Sequence, residues 1–185
     1  LLIALKKLLP AFALLVIALA LFLRTSYFAR MYYPYPYREI VETNAAAFGL
    51  DPLLITAVMR TESKFEPRAV SRKGALGLMQ IMPSTAEWIA PRLGVSNFRA
   101  EMLFEPEINI RFGSWYLAEL ETEFEGRLDV VIVAYNAGRG KVRGWLANGV
   151  WSGCFEDKEN IPYAESRIFL KRVRHAYAQY IRLYK

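Results

Sequence analysis

At 185 residues with a formal charge of +6, the chain is long enough for one domain with a buried core plus an appendage. Its basic balance points to an anionic partner: nucleic acid, a phospholipid surface or an acidic wall polymer. A single cysteine, Cys154, excludes an intrachain disulfide and a thiolate pair for zinc, and a single histidine, His175, excludes a multi-histidine metal cluster and argues against a Ser-His-Asp triad.

Hydrophobic content of 54% is high for a globular domain, and the excess collects before residue 29. Leu8 to Leu23 carries no charge. A run of that length rises only about 24 Å as a helix, short of a hydrocarbon core of about 30 Å. Lys6 and Lys7 can snorkel on one side, and Thr25 to Phe28 can lengthen the span at the interface on the other. A retained signal anchor competes with a signal peptide removed after Ala18-Leu19-Ala20. The apolar run continues past that point through Leu21, Phe22 and Leu23, which favours the anchor. Charge does not set its orientation, since Lys6 and Lys7 face Arg24, Arg30 and Arg38 across it. The chain thus divides into a hydrophobic anchor over 1–30, a Tyr/Pro linker over 31–37 and a folded domain over 38–185. The prolines of Tyr32-Tyr33-Pro34-Tyr35-Pro36-Tyr37 argue against helix there, and its tyrosines suit either the membrane interface or the underside of the domain.

From Arg38 onward the pattern is helical. Arg38 to Phe48 reads as a helix ended by Gly49, and Asp51-Pro52 as an N-cap and first turn that open a helix from Pro52 to Lys64. Phe65 to Lys73 is a polar loop, Leu76 to Ile81 a short helical turn, and Pro83 to Ala90 a helix stopped by Pro91. Pro106 to Phe124 is a long amphipathic helix with Ile108, Phe112, Trp115, Tyr116 and Leu120 on one face. Glu119, Glu121, Glu123 and Glu125 crowd its end as a solvated group. Leu128 to Ala137 is a compact apolar helix, and Gly138 and Gly140 punctuate the way into another from Lys141 to Ala147. Trp151 to Asn160 is irregular, and Tyr163 to Tyr184 is a final basic helix carrying His175 as a packing residue. No run of alternating strands appears, so the domain is expected to be all-α. No basic stripe with regularly spaced aromatics marks a nucleic-acid surface, so no nucleic-acid partner is expected.

With the nucleophile and metal routes closed, carboxylate chemistry remains, and Glu62 stands out. Ile55, Val58 and Met59 precede it at helical spacing, so it ends an apolar stripe. A glutamate pressed against apolar side chains resists ionisation, its pKa rises toward neutrality, and it can serve as a general acid. The competing reading puts it on the solvated edge of the helix end. Glycoside cleavage ordinarily uses two carboxyl groups, and a second is hard to nominate. Asp51 is a cap, Glu105, Glu107 and Asp129 favour helix starts, and Glu66 lies in a loop beside Pro67.

The stretches Ser71-Arg72-Lys73-Gly74-Ala75-Leu76-Gly77-Leu78-Met79-Gln80-Ile81-Met82-Pro83, Ala134-Tyr135-Asn136-Ala137-Gly138 and Ile161-Pro162-Tyr163-Ala164-Glu165-Ser166-Arg167 resemble the signature motifs of the lytic transglycosylases related to the soluble murein type. The resemblance runs from about Tyr37 to the C-terminus. It implies a goose-lysozyme-like, all-α catalytic domain that cleaves peptidoglycan glycan strands between N-acetylmuramic acid and N-acetylglucosamine. Glu62 falls at the catalytic glutamate, which in that family acts first as acid and then as base. It takes the proton of the muramoyl C6 hydroxyl as that hydroxyl closes a 1,6-anhydro ring, and the substrate's acetamido group makes a second carboxylate unnecessary. The resemblance also implies substrate contacts from Ser71, Gln80, Tyr135, Asn136, Tyr163 and Glu165. On residue chemistry alone Ser71 suits a loop cap equally well, Tyr135 a core position, and Glu165 the first turn of a helix. Two departures from the family pattern are Glu105, where aspartate is usual, and Ser166, where threonine is common. The resemblance implies no cofactor or metal. A monomer is expected, held at the membrane by the N-terminal helix with its N-terminus inside and the domain on the wall side.

Overall fold

A computed structural model of the chain describes residues 26–185 throughout, together with Pro10, residues 12–17, Leu19 and Phe22 before them. Much of the expected anchor over 1–30 lies outside the described residues, and among those described no helix is long and apolar enough to cross a membrane. Among the described residues eight α-helices follow one another: α1 Ser26–Tyr32, α2 Arg38–Phe48, α3 Pro52–Glu62, α4 Pro83–Ile89, α5 Pro106–Glu123, α6 Leu128–Ala137, α7 Arg139–Ala147 and α8 Ala164–Tyr184. Three 3-10 segments, Ala90–Leu93, Ala100–Phe104 and Phe155–Asn160, fill the connections. No strand is present among the described residues, only the isolated antiparallel bridges Val70 to Leu76 and Leu76 to Ile81. The all-α expectation holds.

Helix α3 is the axis of the domain. Asp51 Oδ1 accepts the Leu53 N–H at 2.8 Å, as an N-cap before proline should. Every residue from Leu53 to Met59 is buried, so this helix is covered all round, chiefly by α8. The apolar run of α6, Val130 to Ala134, is buried as well and packs against α5, α7 and α8. Burial of this kind stabilises by roughly 25 cal/mol per Å² of apolar surface.

The structure corrects three boundaries. Leu76 to Ile81 is not a helical turn. Gly77 at φ 77 and Gln80 at φ 50 are left-handed, and Leu76 and Ile81 exchange both main-chain hydrogen bonds at 3.0 Å. Helix α4 does end before Pro91, at Ile89, and the proline sits in the first turn of the 3-10 segment that follows, where its missing N–H costs nothing. The chain continues as a 3-10 segment to Leu93 and ends at Gly94. Helix α7 starts at Arg139 rather than Lys141, directly after Gly138 at φ 91. Tyr32 belongs to α1, so the linker is shorter than its composition suggests.

That linker packs under the domain. Tyr180 and Tyr184 of α8 donate to the carbonyls of Pro34 and Tyr33, each at 2.8 Å. Arg30 reaches the Leu183 carbonyl with Nη2 at 2.7 Å, capping the end of α8. His175 is exposed on α8 and shares a 3.0 Å hydrogen bond with the Tyr33 hydroxyl.

Candidate active site

Helix α3 ends at Glu62, and the chain then turns sharply through Lys64 at φ 53 and Phe65 at φ 68. The Ser63 hydroxyl donates to the Leu78 carbonyl at 2.7 Å and so ties this turn to the loop that follows. The loop is held from beneath by Asn109 of α5, which is fully buried. Its Oδ1 accepts the Met79 N–H at 2.7 Å, and its Nδ2 donates to the carbonyls of Leu76 at 2.9 Å and Leu103 at 2.7 Å. Gly77 lies so close over this amide that a Cβ there would collide with Asn109 Nδ2 and the Leu103 carbonyl. One turn along α5, the Met79 sulfur fills the space that a side chain at Gly113 would need.

The loop, the end of α3, the end of α6 and the start of α8 enclose a groove of about 520 Å³. Glu62, Ser71, Gln80, Tyr135, Asn136 and Glu165 all line it, with Arg72, Lys73, Ala75 and Met82 completing the walls. Six of the seven residues singled out from the sequence therefore meet in one place. Tyr163 is not part of this lining. Its half-exposed ring packs edge-on against Trp145 at 5.3 Å, with Lys141 Nζ 4.7 Å from its centroid.

Among the described residues no cation or hydrogen-bond donor pairs with the Glu62 carboxyl. Its pKa is raised from 4.5 to about 8, first by burial and second by the negative charge of Glu165. A carboxyl with that pKa holds its proton at neutral pH. Tyr135 donates its hydroxyl hydrogen to the Met79 carbonyl at 2.9 Å. Burial, and then the adjacent Glu62, push its pKa well above the usual tyrosine value, so it remains a neutral phenol.

The remaining polar groups are half-committed. Gln80 Nε2 donates to the carbonyls of Gly77 at 2.8 Å and Ala69 at 3.2 Å, leaving its oxygen as an acceptor. Asn136 Oδ1 accepts from Ser166 at 2.7 Å, which leaves its amide nitrogen as a donor. Ser71 Oγ accepts the Ala75 N–H at 2.9 Å, the loop-cap role, with its own hydrogen still available. Glu165 pairs with Lys73 at 2.6 Å across the groove, both side chains largely exposed. Among the described residues no group of three His, Cys, Asp or Glu side chains could hold a metal. The acidic end of α5 is only partly solvated, because Glu123 pairs with Arg139 at 3.3 Å and Arg143 at 2.9 Å.

Sequence reasoning passed over Asn109, Ser63 and the anchoring role of Ser166. For Asn109 a signal existed: one amide between Ile108 and Ile110, with a glycine one turn later at Gly113. A polar side chain and a small residue stacked on the buried face of a helix mark a place where another main chain comes close.

A family model described as Transglycosylase SLT domain matches residues 39–154, a span that ends before Tyr163 and Glu165. Over 152 residues the chain is 34% identical to the soluble lytic murein transglycosylase of Salmonella typhimurium, covering 81% of this chain and 23% of that protein. It is 34% identical over 175 residues to the membrane-bound lytic murein transglycosylase C of Edwardsiella ictaluri, covering 80% of this chain and 47% of the relative. Among solved structures, the 70 kDa soluble lytic transglycosylase of Escherichia coli superposes with a TM-score of 0.76 at 31% identity, over 82% of this chain and 25% of that one. An inactive mutant of lytic transglycosylase Slt from Pseudomonas aeruginosa gives 0.72 at 33% identity, over 83% and 25%. The chain spans less than half the length of these relatives, and about a quarter of the soluble ones.

Proposed function

The chain belongs to the transglycosylase SLT family, and from that premise we propose that it is a peptidoglycan lytic transglycosylase whose single working acid is Glu62. The observation that carries this reading is a carboxyl without a partner among the described residues, its pKa raised to about 8, in a groove bordered by half-committed amides and hydroxyls. Glu62 protonates the oxygen that links N-acetylmuramic acid to N-acetylglucosamine, and the bond from C1 to that oxygen breaks. The substrate's C6 hydroxyl attacks C1, its proton passes to the Glu62 carboxylate, and a 1,6-anhydro end forms without consuming water. The acetamido group of the substrate supports the cationic centre meanwhile, in the manner of substrate-assisted glycosidases. Ser71, Gln80 and Asn136 supply hydrogen bonds to the sugar, Tyr135 shapes the wall beside the acid, and Tyr163 and Glu165 flank the groove at its rim.

Glu165 raises a second reading, a hydrolase in which it activates water. Its ion pair with Lys73 at 2.6 Å and its exposure favour a rim role instead. We further infer that the apolar N-terminal segment holds a monomeric domain at the wall-facing surface of the membrane, with the N-terminus inside.

Digestion of purified peptidoglycan followed by mass analysis of the products tests the chemistry. Anhydro ends are lighter by one water than hydrolytic ends, so reducing ends would replace this mechanism with hydrolysis. Glu62→Gln is expected to abolish lysis while preserving binding to the wall, and lysis at the parent rate would refute the assignment of the acid.

A further inference from the structure

A second cavity, of about 430 Å³, lies between the end of α3 and the middle of α8 and shares no lining residue with the groove. Arg60 and Lys64, four residues apart, form one wall, and Arg172 and His175, three apart on α8, form the other. Tyr32 at the end of α1 and Tyr33 just after it close the cavity. The Arg60 guanidinium sits 4.3 Å from the Tyr33 ring centroid and 4.9 Å from that of Tyr32. The Tyr33 hydroxyl shares a 3.0 Å hydrogen bond with His175 Nε2. Lys171, also at the cavity, is neutralised by Glu159 at 2.7 Å. Among the described residues, Arg60, Lys64 and Arg172 have no carboxylate within ion-pair distance. Three converging cations without an internal counter-ion repel one another, and an anion that takes several donors at once relieves the repulsion. A phosphate group fits that requirement, because guanidinium and ammonium groups both suit its oxygens.

The position of the cavity says where the phosphate comes from. Immediately before it, α1 exposes Tyr27, Met31 and Tyr32, each about two-thirds accessible, and further upstream Phe12, Leu14, Leu15 and Ile17 are exposed as well. Apolar residues followed by tyrosines and then cations is the order met on passing from a hydrocarbon interior through the interface to the headgroup layer. We propose that this cavity seats the phosphodiester headgroup of an anionic phospholipid and so sets the catalytic domain against the bilayer surface. The proposal deepens the membrane reading above and rests on it, but it is independent of the chemistry assigned to Glu62.

The test is native mass spectrometry of the full chain released from micelles doped equally with phosphatidylglycerol and phosphatidylcholine. The parent is expected to retain phosphatidylglycerol selectively. Lys64→Gln with Arg172→Gln is expected to lower that retention about thirtyfold, the loss of two lipid-facing charges. Arg68→Gln with Arg99→Gln removes the same charge elsewhere on the surface and is expected to leave retention unchanged. Equal retention of the two lipids, survival of selectivity in the cavity double variant, or an equal fall in the control pair would each overturn the proposal. So would binding of inorganic phosphate at millimolar concentration without retention of the lipid. Wall digestion run on the same samples separates the two readings: lysis with no selective lipid retention removes only the headgroup site, and selective retention with no lysis removes only the enzymatic one.

Discussion

Glu62→Gln removes a charge that the folded groove resists, and the consequence for stability has a definite sign. The folded pKa is about 8, raised from 4.5 chiefly by burial. Between those values the folded protein keeps a proton that the unfolded chain gives up, so the stabilising difference is fully present below pH 4.5 and is lost as pH rises through 8. At about 1.4 kcal/mol per factor of ten, the interval corresponds to at most about 5 kcal/mol. Any water that screens the carboxylate in the open groove lowers the pKa and this figure together, so it is an upper limit. Glutamine has the shape of the protonated acid and cannot ionise. The variant is therefore expected to melt with the parent at pH 4 and above it at pH 8.5, by up to about 10–20 °C for a domain of this size. Thermal melts followed by circular dichroism at the two pH values measure the difference. A gap of the same size at both would refute the claim that burial sets the acid.

Two further changes probe the supports of the groove. Asn109→Ala strands the buried Met79 N–H and withdraws a donor from the carbonyls of Leu76 and Leu103. A loss of about 3 kcal/mol in urea unfolding is expected, with lysis falling as the loop carrying Gln80 loosens, and a loss below about 1 kcal/mol would show that the amide is not the clamp described. Glu165→Gln removes the second cause of the raised Glu62 pKa while breaking only an exposed ion pair. Stability should change by less than about 1 kcal/mol, and the alkaline limb of the lysis profile should move to lower pH. A limb that stays in place or moves upward contradicts the coupling.

What the sequence made legible was local. Asp51-Pro52 announced the start of α3, and Ile55, Val58 and Met59 announced the apolar side from which Glu62 emerges, because a cap and a helical stripe are written within a few adjacent residues. The loop from Phe65 to Met82 was not legible in that way. Its left-handed Gln80 and its paired Leu76 and Ile81 are held by an amide supplied from α5. The residues of the loop carry no trace of that partner; its only sign lies on α5, in an amide set between Ile108 and Ile110. Tyr163 is a related case: a motif gives the position of a side chain, and only the fold shows its ring edge-on against Trp145 of another helix.

On the proposed function, the groove must satisfy two demands that oppose each other. An acid that stays protonated near neutral pH needs surroundings that do not solvate its charge, and a sugar needs donors and acceptors in plenty. The arrangement around Glu62 meets both by turning polar side chains onto main chain or onto each other. Ser63 bonds the Leu78 carbonyl, Tyr135 the Met79 carbonyl, Gln80 the carbonyls of Ala69 and Gly77, and Asn136 the Ser166 hydroxyl. None of them reaches the carboxyl. These bonds fix the wall, and Gln80 and Asn136 each keep one end of the amide free, so the groove presents hydrogen-bonding groups to a ligand without stabilising the ionised form of its own acid. The acid therefore depends on where these side chains point, and not simply on their presence. Any rearrangement that swung one of them onto Glu62 would lower its pKa and remove its proton at working pH, even with every named residue still in place.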